Sequence, residues 1–264
     1  MPAADAAVPH FTRFVALGDS FTEGLDDERP DGTYRGWADR FAQRAGAAAP
    51  ELRYANLAVR GKKIDQVIDE QVPAAVALQP DLVSLAAGIN DVLRPSVDVD
   101  RVGQRLAEGV EALRESGAQV LLTCVGDPAR RSVALRTLAK RINAYDDHVR
   151  RIADTYGCYL MDFWGVALFD DPRCWSVDRL HLSQIGHERV SRAAWEAVGG
   201  EDDGWRDPLP PAADDSWLAA RTSDAKWVWS HLGPWVGRRL RGVSSGDGLS
   251  AKRPQLTPVA APSA

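Results

Sequence analysis

Short apolar runs recur along this chain, separated by stretches whose apolar positions return every three or four residues. The runs predict strands at Phe11–Leu17, Leu52–Leu57, Pro80–Gly88, Gln119–Val125 and Cys158–Asp162. The stretches between them predict helices. Trp37, Phe41 and Ala45 share one face over Gly36–Ala45, and Ile64, Val67, Ile68 and Val72 line another over Ile64–Leu78, where Pro73 must bend or divide the helix. Val102, Leu106, Val110 and Leu113 form a stripe over Val99–Ser116. Further helices are expected over Val133–Tyr156 and from Ser183 to about Val198, with Glu188 in the early turns of the latter. The strands are apolar throughout rather than alternating in polarity. Strands buried on both faces read this way, so the pattern predicts a parallel sheet with helices on both sides.

The pattern changes after Gly199-Gly200. Asp207-Pro208-Leu209-Pro210-Pro211 resembles a linker. Over residues 223–242, Trp227, Trp229, Leu232, Trp235 and Leu240 interleave with Lys226, Arg238, Arg239 and Arg241. This segment reads either as a C-terminal helix pair folded back on the domain or as a basic amphipathic surface that meets anionic lipid. The expected organisation is a lead-in without order over 1–10, a domain over 11–199, an extension over 200–242, helical and packed on the domain, and a disordered Ser/Gly/Pro-rich tail over 243–264.

A length of 264 residues allows one large α/β domain with an appendage. The net charge of -5 argues against a nucleic-acid partner. The first residues carry neither the basic nor the apolar region of a secretory signal, and no apolar run is long enough to span a bilayer, so a cytoplasmic location is expected. Cys124, Cys158 and Cys174 are too widely spaced for a metal knuckle or a disulfide framework. No metal or cofactor is expected.

Four polar stretches lie in loops at strand ends, which a parallel sheet opens on one edge. Gly18-Asp19-Ser20 follows the first strand, Asn56–Gly61 the second, Gly88-Ile89-Asn90-Asp91 the third and Asp178-Arg179-Leu180-His181 the fifth. Ser20 can be a nucleophile, or it can cap the next segment. His181 can take and return the serine proton at neutral pH. Asp178 can hold the other ring nitrogen of His181 if the loop is a helical turn, or it can pair with Arg179. Gly61 is either a backbone N–H donor open to a ligand or a turn glycine. Asn90 is either a side-chain N–H donor or a cap.

Together, Gly18-Asp19-Ser20, Gly61, Gly88-x-Asn90-Asp91 and Asp178-x-x-His181 resemble the four signature blocks of the SGNH hydrolases, also called GDSL esterases and lipases. The resemblance covers about residues 11–198, with every block in order. It implies a three-layer α/β/α, flavodoxin-like fold with a five-stranded parallel sheet, to which the C-terminal helical extension is added. It also implies a Ser20, Asp178 and His181 triad with the Ser20 N–H, the Gly61 N–H and the Asn90 side chain as oxyanion hole. The expected activity is hydrolysis of small-molecule carboxylic esters of short acyl chains, no long lid insertion separating the blocks. An acyltransferase or thioesterase would use the same triad, and a flavodoxin-like phosphate- or flavin-binding protein would use the Ser20-Phe21-Thr22 loop instead. Phe21, Leu93, Trp164, Phe169 and Trp175 are the expected walls of an acyl pocket.

Overall fold

Strand β1 (Arg13–Gly18) is buried from Phe14 onward, with Phe14 and Ala16 in one core and Val15 and Leu17 in another. An apolar run without polar alternation is suited to this double burial. The computed structural model describes residues 10–130, 135–201, 203–211, 246 and 248–259. Strands β2 (Arg53–Asn56) and β3 (Leu82–Ala86) pair with β1 in parallel, setting Phe14 between Tyr54 and Leu82. Strands β4 (Gln119–Cys124) and β5 (Tyr159–Asp162) continue the parallel sheet. Strand β6 (Arg253–Pro258) runs antiparallel to β2, so the sheet has six strands in the order β5-β4-β3-β1-β2-β6.

Helices cover both faces. Helix α1 (Ser20–Glu23) follows β1 directly, and α2 (Gly36–Ala48) returns the chain to β2. Helices α3 (Ile64–Gln66) and α4 (Val72–Ala77) lead to β3, after which come α5 (Ile89–Val92) and α6 (Val99–Glu115). Helix α7 (Arg136–Tyr156) joins β4 to β5, and α8 (Gln184–Ala197) follows the strand β5 and two 3-10 turns. Trp37 and Phe41 of α2 and Val190 and Ala194 of α8 share a core with Phe14 and Tyr54. Leu106 of α6 and Val149 of α7 share the opposite core with Val15 and Val83. The order of the parallel strands reverses between β1 and β3, which opens the ligand crevice of such sheets at their carboxyl ends.

The stretch 64–78 departs from a simple helix bent at a proline. A π turn at Val67–Gln71 separates α3 from α4, and Pro73 lies in the first turn of α4. The tail is also corrected. Its Ser/Gly/Pro content reads as disorder, yet residues 253–258 are a strand. The free edge of β2 offers unpaired backbone groups, and an edge strand tolerates prolines such as Pro254 and Pro258. Domain packing also passes residue 199, because Trp205 is buried against Phe163 and Phe169. Residues 200, 201 and 203–211 contain no helix. The helix-pair and lipid-surface readings of 223–242 lie outside the described residues, as do residues 1–9. Among the described residues, no helix is long and apolar enough to cross a membrane.

Candidate active site

The crevice between β1 and β3 brings the four sequence blocks to one cavity of about 340 Å³. Gly18 ends β1 at φ +145, and a Cβ there would stand 2.3 Å from the Ala86 carbonyl oxygen, so only glycine lets the two strands close at this point. Asp19 then caps α1 by accepting the Phe21 N–H at 3.1 Å, and Ser20 is the first residue of that helix.

The Asp178–His181 segment is a tight loop rather than a helical turn. Trp175 pairs with Leu182, and the Ser176 N–H donates to the His181 carbonyl at 2.8 Å. Asp178 Oδ1 accepts the N–H groups of Leu180 (2.9 Å) and His181 (3.0 Å) and the Ser176 hydroxyl (2.8 Å). Arg179 takes the left-handed conformation, φ +55, which folds Asp178 back onto those donors. Ser183 closes the loop as the cap of α8.

His181 bridges the other two groups. Its Nδ1 stands 2.5 Å from Asp178 Oδ2 and its Nε2 3.0 Å from Ser20 Oγ. With Nδ1–H donated to the carboxylate, Nε2 is left to accept the serine proton. Burial alone would push His181 down and Asp178 up. Burial is the largest single influence on each, but the hydrogen bond and the opposite charges of the pair, with the backbone N–H groups on Asp178, together outweigh it, so His181 is raised above its ordinary value and Asp178 is held well below the usual carboxylate range. The charges of Asp26 and Asp19 raise His181 further.

Asn90 and Gly61 stand on the same cavity. The Asn90 Nδ2 donates to the buried Asp19 carboxylate at 2.9 Å and to the Lys62 carbonyl at 3.0 Å. Asp91 accepts the Ile64 N–H at 2.9 Å, so α5 is tied to the loop after β2 at two points. Gly61 has φ +75 at the turn of that loop.

Phe21, Leu93, Phe169 and Trp175 line the cavity, together with Leu135, Leu138 and Ile142 from the start of α7. Trp164 does not. It packs on the core beneath α6 and α7, while its neighbour Phe163 faces the cavity. Trp164 stands in the turn that follows β5, which the Val166 N–H closes on the Phe163 carbonyl at 3.2 Å, so its ring leaves the face taken by Phe163.

Two groups carried no motif. Gln71 is buried, and its side-chain amide accepts the Gly18 N–H at 2.8 Å and donates to the Gly18 carbonyl at 2.9 Å. A glutamine on the apolar stripe of Ile64, Val67 and Ile68 was the available signal. Asp26 has φ +71 and lies with Oδ2 3.9 Å from His181 Nδ1. Among the described residues, Asp26, Asp178 and His181 are the group whose ligand atoms lie close enough to share a metal ion. His181 already has a short partner at each ring nitrogen.

A family model described as the GDSL-like Lipase/Acylhydrolase family matches residues 16–189. No curated protein matches the chain in sequence. Among solved structures, LAE5, described as an alpha/beta hydrolase enzyme from the metagenome of Lake Arreo, Spain, is similar at 24% identity and TM-score 0.61, covering 71% of this chain and 95% of that one. Axe2, an acetylxylan esterase from Geobacillus stearothermophilus, is similar at 20% identity and TM-score 0.60, covering 75% and 97%. Variants of Axe2 described as catalytic mutants replace a serine, an aspartate or a histidine by alanine. At these identities the structural likeness shows a shared fold.

Proposed function

Because the chain belongs to the GDSL-like lipase/acylhydrolase family, and is on that ground a carboxylic ester hydrolase, we propose that it cleaves esters of short acyl chains through an acyl-enzyme on Ser20. The observation that carries the reading is the Asp178–His181–Ser20 hydrogen-bond chain, 2.5 Å and 3.0 Å, at the mouth of a mostly apolar cavity. Ser20 Oγ attacks the ester carbonyl carbon as its proton passes to His181 Nε2. Asp178 keeps the ring in the tautomer with Nε2 free and stabilises the imidazolium. The oxyanion is received by the Ser20 and Gly61 N–H groups and by the Asn90 amide, which releases one of its two present acceptors to do so. Collapse breaks the bond to the alcohol oxygen, and that oxygen takes the proton from Nε2. Water then attacks the acyl-enzyme, again giving its proton to Nε2, and the acid leaves as Ser20 is reprotonated.

The cavity volume, about 340 Å³, supports the acyl length. A cavity of about 150 Å³ holds benzene, so this one has room for a short acyl group and part of the alcohol moiety. Axe2, an acetylxylan esterase whose catalytic mutants replace a serine, an aspartate and a histidine, supports the same reading. A phosphate- or flavin-binding role is disfavoured by Asp19, whose carboxylate occupies the Phe21 N–H at the start of α1. Initial rates on a chain-length series of p-nitrophenyl esters, with wild type beside Ser20→Ala, test the proposal. Cleavage of short chains by wild type alone supports it, and cleavage by both overturns the assignment of Ser20. Added alcohols in the same assay reveal transfer in place of hydrolysis.

A further inference from the structure

The turn that carries Gly61 is held on one side by groups of the hydrolase core. Its Val59 N–H donates to Gly18 at 3.3 Å, and the Arg60 N–H donates to Glu23 Oε2 at 2.7 Å. The Arg60 guanidinium pairs with Glu23 and lies over the Tyr34 ring, 4.7 Å from its centroid.

On the other side, the same turn meets a segment far beyond the matched family span of 16–189. Gly246 is buried against it, and a Cβ there would stand 2.0 Å from the Arg60 carbonyl oxygen and 3.1 Å from Val59. A few residues on, Lys252 reaches under Tyr34. Its Nζ donates to the carbonyls of Tyr34 (3.0 Å) and Arg35 (2.7 Å) and pairs with Asp39 at 2.9 Å. Lys252 therefore fixes the residue on which Arg60 stacks. Strand β6 anchors the whole segment through Arg253, which donates to the Tyr54 carbonyl at 2.9 Å, and just past the strand the Val259 N–H donates to the Leu52 carbonyl at 3.3 Å. Arg60 is thus confined from two directions by one C-terminal arm.

We propose that this arm, Gly246 and residues 248–259, positions the Arg60–Gly61 turn and with it one donor of the oxyanion hole. The role of Gly61 here rests on the function proposed above. Losing an oxyanion donor outright costs about 10²–10³ in kcat, and a displaced one is expected to cost about tenfold or more. Loss of position in the transition state lowers kcat, whereas the ground-state ester is held mainly by the apolar walls, so KM changes little.

The test compares Gly246→Ala and Lys252→Met with Val259→Ala, a control that keeps the backbone bond to Leu52 and trims only the side chain beside Gly46, all in the full chain. The readouts are kcat and KM on a short-chain p-nitrophenyl ester, amide hydrogen exchange over residues 59–62, and Tm. Gly246→Ala and Lys252→Met are expected to lower kcat about tenfold with KM within about threefold, and to speed exchange at Arg60–Lys62. Val259→Ala is expected to lower Tm with neither effect. Unchanged kcat and exchange in the two test variants overturn the proposal, as does an equal fall in kcat for Val259→Ala at the same loss of Tm. Should Gly246→Ala misfold, Lys252→Met decides alone. Should the full chain hydrolyse no ester, the reading of the active site fails, while the exchange comparison still decides whether the arm holds the turn.

Discussion

The side-chain amide of Gln71 forms a reciprocal pair of hydrogen bonds with the backbone of Gly18, 2.8 Å and 2.9 Å. Gln71 ends a π turn, a feature often found beside functional sites. Gly18 is two residues before Ser20, so the amide sets the exit of β1 where Ser20 is presented. Gln71→Met keeps the volume and removes both partners, leaving the Gly18 N–H buried without its acceptor. The expected loss of stability is about 1–3 kcal/mol, seen as a fall in Tm, with a drop in kcat beyond what partial unfolding explains. A variant with wild-type kcat would place Gln71 in packing alone.

Ser20→Ala and His181→Ala are each expected to lower kcat by at least about three orders of magnitude, with circular dichroism and Tm little changed. The double variant should lose no more than the worse single one, because the two groups act as a unit. Additive losses would contradict a shared proton transfer.

The rate should rise with pH as His181 loses its proton, since only the neutral ring can accept from Ser20. Asp178, Asp26 and Asp19 hold His181 above its ordinary value, so the acidic limb of kcat/KM is expected to have its midpoint above about 6.5. Asp26→Asn removes one of those charges at 3.9 Å and should move the limb to lower pH. An unmoved limb would mean that Asp26 does not act on His181. Asp178→Asn should move the limb further and also cost about 10⁴ in kcat, because the ring loses its tautomer.

Stability should respond to pH through two buried groups of opposite sign. Burial pushes Asp146 up to about 8, so the folded state holds a proton that the unfolded chain releases near 3.9. Its contribution is complete below that unfolded value and is lost as pH rises to about 8, in the limit on the order of 5 kcal/mol. Burial pushes His187 down to about 4, and its unprotonated Nδ1 accepts the Trp37 N–H at 3.1 Å. That contribution is present above about 6.5 and is lost as pH falls toward 4. The raised His181 adds a loss above about 6.5. Urea unfolding of wild type should therefore be nearly flat in pH from 4 to 6.5 and weaken from 6.5 to 8. Asp146→Asn keeps an acceptor for the Val125 N–H and should convert the flat region into a rise. A flat region retained in the variant would refute the role of Asp146.

The residue types of the site were legible along the chain because their chemistry is local. A buried strand must end in a glycine turn to present a serine, and an aspartate three residues before a histidine can reach it in more than one loop. The parallel sheet was legible too, since doubly buried strands need uninterrupted apolar runs. Trp164 was misread because the chain turns at that residue just past β5, and the turn decides which face its ring takes. Strand β6 was misread because composition records what a segment prefers when alone, whereas the edge of β2 supplies partners from about two hundred residues away. Gln71 carried no motif because its partner is backbone, which has no identity in a sequence.

What the sequence by itself determined is the set of groups at the carboxyl edge of a parallel sheet, because hydrophobic period and strand-end residue types are properties of neighbouring positions. Only the tertiary structure decided their spacing. The 3.0 Å between Ser20 and His181 spans 161 positions of chain, and it exists because β1, α8 and the loop before α8 pack against common neighbours. The same holds for the C-terminal arm, whose place beside Arg60 follows from edge pairing and a buried lysine rather than from any pattern along its own residues.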